Sequence, residues 1–322
     1  MEKQEFNMVA AIIVVAILAV LTIIFVIGAA DVFAKIVVHP NANAYEFSRE
    51  RILSGKCTID PFSTLEGHKV EEFRYASPRG YNLFGRIIRA DEGRTFPDGK
   101  QRTVILCHGW TSNHVTMLTY GKIYQELGFN IVAYDHRCHG QSDKEGLHCT
   151  MGLIEHQDLI GLADYVRQFF PEDTIWGLQG ESMGSATVML AAPLIPWLSF
   201  AVEDCGYSTM RKEMCANIRT RHLPKFPIVN VGSVILKKRY NLDMDKVCPE
   251  KAVAQTGIPM LFCHGGSDTF VPTKMVYDVF DAKKDKKKLH IFEGSEHAES
   301  IWDHTDEYRQ VVRDFLTEFG II

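Results

Sequence analysis

The sequence predicts an α/β chain, built on a mostly parallel central sheet with helices on both faces. Three observations carry that expectation. Short apolar runs alternate with longer helical stretches from residue 103 to the end, and strands alternating with helices form sheets covered on both sides. A chain of 322 residues, 46% hydrophobic, is long enough to bury a sizeable core. A third feature stands apart from that alternation: residues 8–30 run without a single charge.

That uncharged run is 23 residues long, enough to span a bilayer with some tilt. A cleaved secretory signal is the rival reading, since Gly28-Ala29-Ala30 resembles a small-residue cleavage site. The stretch is longer than a signal core, and residues 1–7 are not basic, so an uncleaved transmembrane anchor over 1–30 is expected. Lys3 on one side and Lys35, Arg49 and Arg51 on the other do not decide its orientation. Residues 31–69 then form a connecting region, with a short helix expected over 45–53.

The globular part of the chain follows, over 70–322. Residues 72–75 and 83–89 are strand-like, and Pro78-Arg79-Gly80 between them marks a turn, so they form an antiparallel hairpin. Strands are then expected at 103–107, 130–134, 174–179, 200–203, 259–263 and 288–292. Helices are expected at 116–127, 153–170, 185–192, 274–280 and 300–319. The alternation breaks at about 205–253, too long for a plain loop in a compact domain. Its apolar residues, interleaved with Arg211, Lys212, Arg219, Arg221, Lys225, Lys237, Lys238 and Arg239, suggest a small helical cap. The lysine-rich stretch 283–288 is expected to be a solvated loop.

The net charge of −5 argues against nucleic acid as a partner. Eight cysteines in a chain this long do not form a disulfide framework, and Cys107 and Cys263, each ending an apolar run, are expected to be small buried residues. Cys-His-Gly occurs at Cys107, Cys138 and Cys263, but neither C-x-x-C nor H-E-x-x-H accompanies it, so no metal and no cofactor is expected.

The chemistry centres on Gly180-Glu181-Ser182-Met183-Gly184, between an apolar strand and a helix of small residues. G-x-S-x-G in that setting holds a serine on a turn too tight for side chains at its flanks. A serine hydroxyl is a poor nucleophile unless a base takes its proton and a third group orients the base. Asp268 follows the strand ending at Cys263, and His297 follows the next, so both stand at the sheet edge that carries Ser182. Asp204, after the preceding strand, is the rival acid, and capping of the helix near Pro272 is the structural alternative for Asp268. Two donors must meet the oxyanion of a tetrahedral intermediate. The N–H of Met183 is one candidate, and that of Trp110, in His108-Gly109-Trp110 after an early strand, is the other.

Together, Cys107-His108-Gly109-Trp110, Tyr134-Asp135-His136-Arg137-Cys138-His139-Gly140, Gly180-Glu181-Ser182-Met183-Gly184 and His264-Gly265-Gly266-Ser267-Asp268 resemble the α/β-hydrolase superfamily. More narrowly, the chain resembles membrane-anchored, esterase- or lipase-like members from Gram-positive bacteria with one N-terminal helix and a short cap. Cys138 is a departure from many relatives. The resemblance implies an α/β-hydrolase fold, a Ser182, Asp268 and His297 triad, and an oxyanion hole from Trp110 and Met183. It also implies an acyl-enzyme mechanism on carboxylic esters, with peptidases and thioesterases as cousins and a membrane-tethered binding module as the non-enzymatic alternative. A small-molecule ester, acyl or aromatic and with an anionic end met by Arg219 and Arg221, is the expected substrate. Oligomeric state is left open.

Overall fold

The computed structural model describes residues 2–40, 59–91 and 96–322; the helix expected at 45–53 lies outside them. Eight strands form one sheet: β1 (Val70–Ser77), β2 (Tyr81–Ile88), β3 (Arg102–Cys107), β4 (Asn130–Tyr134), β5 (Ile175–Glu181), β6 (Phe200–Asp204), β7 (Met260–Gly265) and β8 (Lys287–Phe292). Their order is β1-β2-β4-β3-β5-β6-β7-β8. The β1/β2 hairpin is antiparallel, with Ser77 opposite Tyr81, and β2 also joins β4 antiparallel; every pairing from β4 to β8 is parallel.

Period-two alternation places the core. Along β3, Ile105 and Cys107 enter one apolar cluster, while Val104 and Leu106 enter the cluster on the opposite face. The first cluster is roofed by α3 (Glu155–Arg167) and α4 (Met183–Ala191), the second by α2 (Leu118–Glu126) and α10 (Thr305–Glu318). With both faces covered, every residue of β3 to β7 except Ile175 is buried, which explains their apolar runs. This is the α/β-hydrolase fold.

Between β6 and β7 the chain is helical: α5 (Met210–Thr220), α6 (Lys225–Tyr240) and the short α7 (Pro249–Val253). After β7 come α8 (Lys274–Ala282) and, past β8, α9 (Ser300–Asp303). The single helix expected over 300–319 is interrupted at His304, whose φ of −129° and ψ of 45° are not helical. The 283–288 stretch is an exposed loop at 284–286, as expected, but residues 287–288 open β8 and Lys283 is not solvated. Lys283 is fully buried, and its ammonium donates to the carbonyls of Thr256 (2.9 Å) and Asp285 (2.8 Å), which satisfies the charge without water.

The N-terminal helix α1 (Glu2–Val38) runs past the expected end of the anchor at Ala30. Asp31 and Lys35 end the uncharged run but not the helix, because they pair with each other at 2.8 Å, four residues apart. Ala30, Phe33, Ala34, Val37 and Val38 are buried against α5 and α6, a stripe at helical spacing. Arg239 of α6 also pairs with Asp31, and the His39 and Tyr240 rings meet edge to face at 5.9 Å. The last carbonyls of a helix lack partners within it. In α1 the indole N–H of Trp110 donates to the Val37 carbonyl (3.2 Å) and the Cys149 N–H to that of Val38 (2.8 Å).

Candidate functional site

Ser182 sits between the end of β5 and the start of α4, at φ 55° and ψ −115°. An L-residue there carries a strain of about 1–3 kcal/mol, tolerated only where the surroundings overdetermine it. The two flanking glycines supply that determination. A Cβ on Gly180 would stand 2.5 Å from the Gly184 backbone, and one on Gly184 would stand 2.0 Å from the Cys107 carbonyl oxygen. Strand β3, the turn and α4 therefore touch backbone to backbone. The Ser182 N–H donates to the Asp204 carbonyl (2.8 Å), which fixes the turn against β6.

The hydroxyl of Ser182 lies 2.9 Å from Nε2 of His297, and Nδ1 of His297 lies 2.7 Å from Oδ2 of Asp268. Three side chains from three different strand ends thus form one line of hydrogen bonds. With Nδ1–H donating to the carboxylate, Nε2 is left as the acceptor for the serine proton. Phe270 packs against the His297 ring, centroids 4.8 Å apart and planes tilted by 40°.

Asp268 does not cap α8, whose N-cap residue is Thr273. Its Oδ1 accepts from the N–H groups of Phe270 and Val271, each at 2.9 Å, while Oδ2 faces His297 and also His264 at 3.2 Å. Burial pushes the carboxyl up, but the hydrogen bonds from His264 and His297 outweigh it and hold it below the usual carboxylate range. For His264 burial acts downwards, and the Asp268 partner outweighs it, so its pKa is raised. Asp204 is engaged elsewhere: it accepts from the Tyr120 hydroxyl (2.9 Å), and burial raises its pKa. The carboxylate that meets His297 is that of Asp268.

Beside the serine is a cleft of about 320 Å³, lined by Gly109, Trp110, Glu181, Ser182, Phe270, His297 and Trp302. Trp110 borders it from the loop after β3, and Met183 opens α4, where the first N–H groups have no partner in the helix. The β3 loop is held by a cluster of buried imidazoles. His108 shares centroid distances of 4.5 Å with His136 and 5.0 Å with His139. His108 Nε2 accepts from the His136 N–H (2.9 Å), and its Nδ1 faces the Gly109 carbonyl (2.8 Å), which assigns the proton to Nδ1. Burial and the neighbouring rings hold the pKa of His108 well down, and burial does the same for His136, to about 3. Neutral imidazoles thus tie the two loops together, and Cys107, at the end of β3, and Cys263, inside β7, which runs on to Gly265, are fully buried. Among the described residues, no group of His, Cys, Asp and Glu side chains is arranged to hold a metal ion.

A second, narrow cavity of about 40 Å³ shares Ser182, Trp110 and Phe270 with the cleft and continues to Met151, Tyr207, Met214 and three residues of α1: Phe33, Ile36 and Val37. Sequence reasoning missed those three, because their partners lie on α5 and on loops far along the chain. Glu213, Asn217 and Arg221 of the insertion also line it. Glu213 is buried, which pushes its carboxyl well above the usual carboxylate range. The two arginines expected to act together are separated. Arg221 borders this cavity, whereas Arg219 lines a different cleft with Arg211, Lys212 and Lys274.

Comparison with known proteins agrees with the fold. A sequence profile for the family described as Serine aminopeptidase, S33, matches residues 98–200, which include β3 and the Ser182 turn. The chain is 29% identical over 260 residues to the uncharacterized protein YqkD of Bacillus subtilis, covering 80% of this chain and 82% of that one. It is 25% identical to the human monoglyceride lipase over 257 residues, covering 67% of this chain and 84% of the lipase. Among solved structures, an esterase of Pyrococcus furiosus, Pf2001, superposes with a TM-score of 0.65 at 20% identity, over 88% of this chain and 98% of the esterase.

Proposed function

We propose that this protein is a membrane-anchored serine esterase in which Ser182 is the nucleophile, His297 the general base and Asp268 the group that orients it. The observation that carries the reading is the unbroken line from the Ser182 hydroxyl through His297 to Asp268, at 2.9 Å and 2.7 Å, opening on a cleft. Ser182 Oγ attacks the ester carbonyl carbon as its proton passes to His297 Nε2. The imidazolium so formed is stabilised by the anionic Asp268. The backbone N–H groups of Met183 and Trp110 receive the oxyanion. Collapse breaks the bond to the alkoxy group, which leaves as an alcohol with the proton from His297. Water then repeats the sequence on the acyl-enzyme, releasing the carboxylic acid and returning the proton to Ser182.

The apolar lining from Trp110, Phe270 and Trp302 favours an ester of apolar character, and the relatives described as esterase and monoglyceride lipase support that substrate class. In this reading the helices over 210–253 act as the cap, and α1 anchors the enzyme, being the one helix among the described residues long and apolar enough to cross a membrane (Glu5–Val38). A peptidase is the second reading, on the strength of the family profile described as a serine aminopeptidase.

A fluorophosphonate probe tests the chemistry. Labelling of the full chain, absent in Ser182→Ala together with a loss of kcat on the order of 10⁶-fold, is the expected outcome. A folded, unlabelled wild-type protein would falsify the reading. A panel of acyl esters against aminoacyl amides separates esterase from aminopeptidase, with the esters turned over preferentially.

A further inference from the structure

Helix α1 presents two stripes. One is the buried stripe that packs on the insertion. The other is exposed: Leu21, Phe25, Gly28, Val32 and Ile36 follow one another at intervals of three or four residues on one helix face. Leu21, Phe25 and Val32 are each more than half exposed, and Ile36 is 41% exposed. At 1.5 Å per residue, Ile36 stands about 17 Å along the helix from Phe25. Ile36 also lines the narrow cavity that reaches Ser182. The apolar face that begins within the candidate membrane span therefore reaches the cavity at the nucleophile, flanked between Val32 and Ile36 by Lys35, whose ammonium is held by Asp31 at 2.8 Å. Gly28 leaves open space at the middle of it, with no atom within 4 Å of the position a Cβ would take.

The end of α1 is built into the site. Trp110, which borders the cleft, is held by its indole to the Val37 carbonyl at 3.2 Å. A flexible tether would not supply a wall to the cavity and a hydrogen bond to the loop beside the serine.

We propose that α1 is the acyl-chain subsite of this enzyme: an unbranched acyl chain leaves the bilayer along Phe25, Val32 and Ile36 and lies against Phe33 and Val37, bringing the ester carbonyl of a membrane-resident amphiphile to Ser182. The small volume of the cavity, about 40 Å³, disfavours a branched chain, and the wall that α1 supplies, Phe33, Ile36 and Val37, favours hydrocarbon over a polar acyl group. This rests on the esterase reading above and assigns that site its substrate class and its direction of access.

The test uses the full chain reconstituted in phosphatidylcholine vesicles. Two substrates are compared: a long-chain monoacyl ester resident in the vesicles and the water-soluble p-nitrophenyl acetate. Val32→Glu and Ile36→Glu place a charge on the exposed stripe at positions outside the buried core, and Ile36→Trp narrows the cavity mouth without a charge. Each is expected to lower the ratio of kcat/KM for the vesicle ester to that for the acetate by about tenfold or more, since pocket contacts of this kind discriminate by about 10–200-fold. Leu194→Glu, an exposed apolar position outside the site, is expected to leave the ratio at the wild-type value. Fluorophosphonate labelling of each variant reports whether the serine site is formed. Labelled variants with an unchanged ratio, or with equal losses on both substrates, overturn the subsite while leaving the esterase standing. A folded wild-type chain that is not labelled overturns both.

Discussion

At the scale of single residues, the chain buries more carboxyl groups than the proposed triad needs. Glu203, on the strand that carries Asp204, is wholly buried, and burial pushes its pKa up to about 8. Oε2 accepts from the Gly206 N–H at 3.0 Å, while Oε1 has no hydrogen-bond partner. In the unfolded chain a glutamate ionises near pH 4.3. Between that value and about 8 the folded state holds a proton the unfolded state has released, so stability falls as pH rises through this window. Glu203→Gln keeps an acceptor for Gly206 and cannot ionise in either state. The variant should be more stable than wild type, by a margin that grows with pH by up to about 1.4 kcal/mol per unit between pH 5 and 7 and levels off above 8. Urea unfolding at pH 5, 6, 7 and 8 measures it, and a margin independent of pH would count against a neutral Glu203. Asp268 has the opposite sign: its lowered pKa contributes stability above about pH 4, lost as pH falls through the folded value.

At the scale of elements, the turn at Ser182 shows why some of the site was legible. Its glycines are demanded by contacts that recur wherever a strand, a tight turn and a helix are pressed together, and those contacts leave a local pattern of residues. Gly184→Ala should prevent folding or cost at least about 3 kcal/mol, since its methyl would meet the Cys107 carbonyl at 2.0 Å, with no flexible side chain to yield. Thermal unfolding checks this, and a soluble variant with an unchanged midpoint would show that the backbone contact is not tight. Asp268 and His297 were also traceable, because each stands just after its own strand in a parallel sheet, and parallel strands end at one edge. Other features left no such mark. Lys283 reads as one more lysine in a charged run, and only the carbonyls of Thr256 and Asp285, placed by tertiary structure, make it a core residue. The continuation of α1 past Ala30 was hidden by Asp31 and Lys35, which look like the end of an apolar segment and instead pair along one helix.

At the scale of the whole molecule, α1 has two halves with different physical roles, and deletions can separate them. Leu18, Leu21, Ile24 and Phe25 are each more than half exposed in the folded chain, whereas Ala30, Phe33, Ala34, Val37 and Val38 are buried against the insertion. Removing residues 2–25 should leave the thermal midpoint nearly unchanged, release the protein from vesicles and retain turnover of p-nitrophenyl acetate. Removing residues 2–38 takes away three large buried side chains, Phe33, Val37 and Val38, with two alanines, and leaves Met214, Ile228 and Val229 without that cover. At about 1.5–3 kcal/mol for each fully buried large side chain, the loss is on the order of 5 kcal/mol, comparable with the whole stability of many domains. It also removes the acceptor of the Trp110 indole. The longer deletion should therefore be unfolded or severely destabilised, and acetate turnover should fall with it. Differential scanning calorimetry and acetate hydrolysis on the two truncated chains measure the contrast. Equal stability of the two would mean that residues 26–38 contribute nothing to the fold, and would return α1 to the role of a simple anchor.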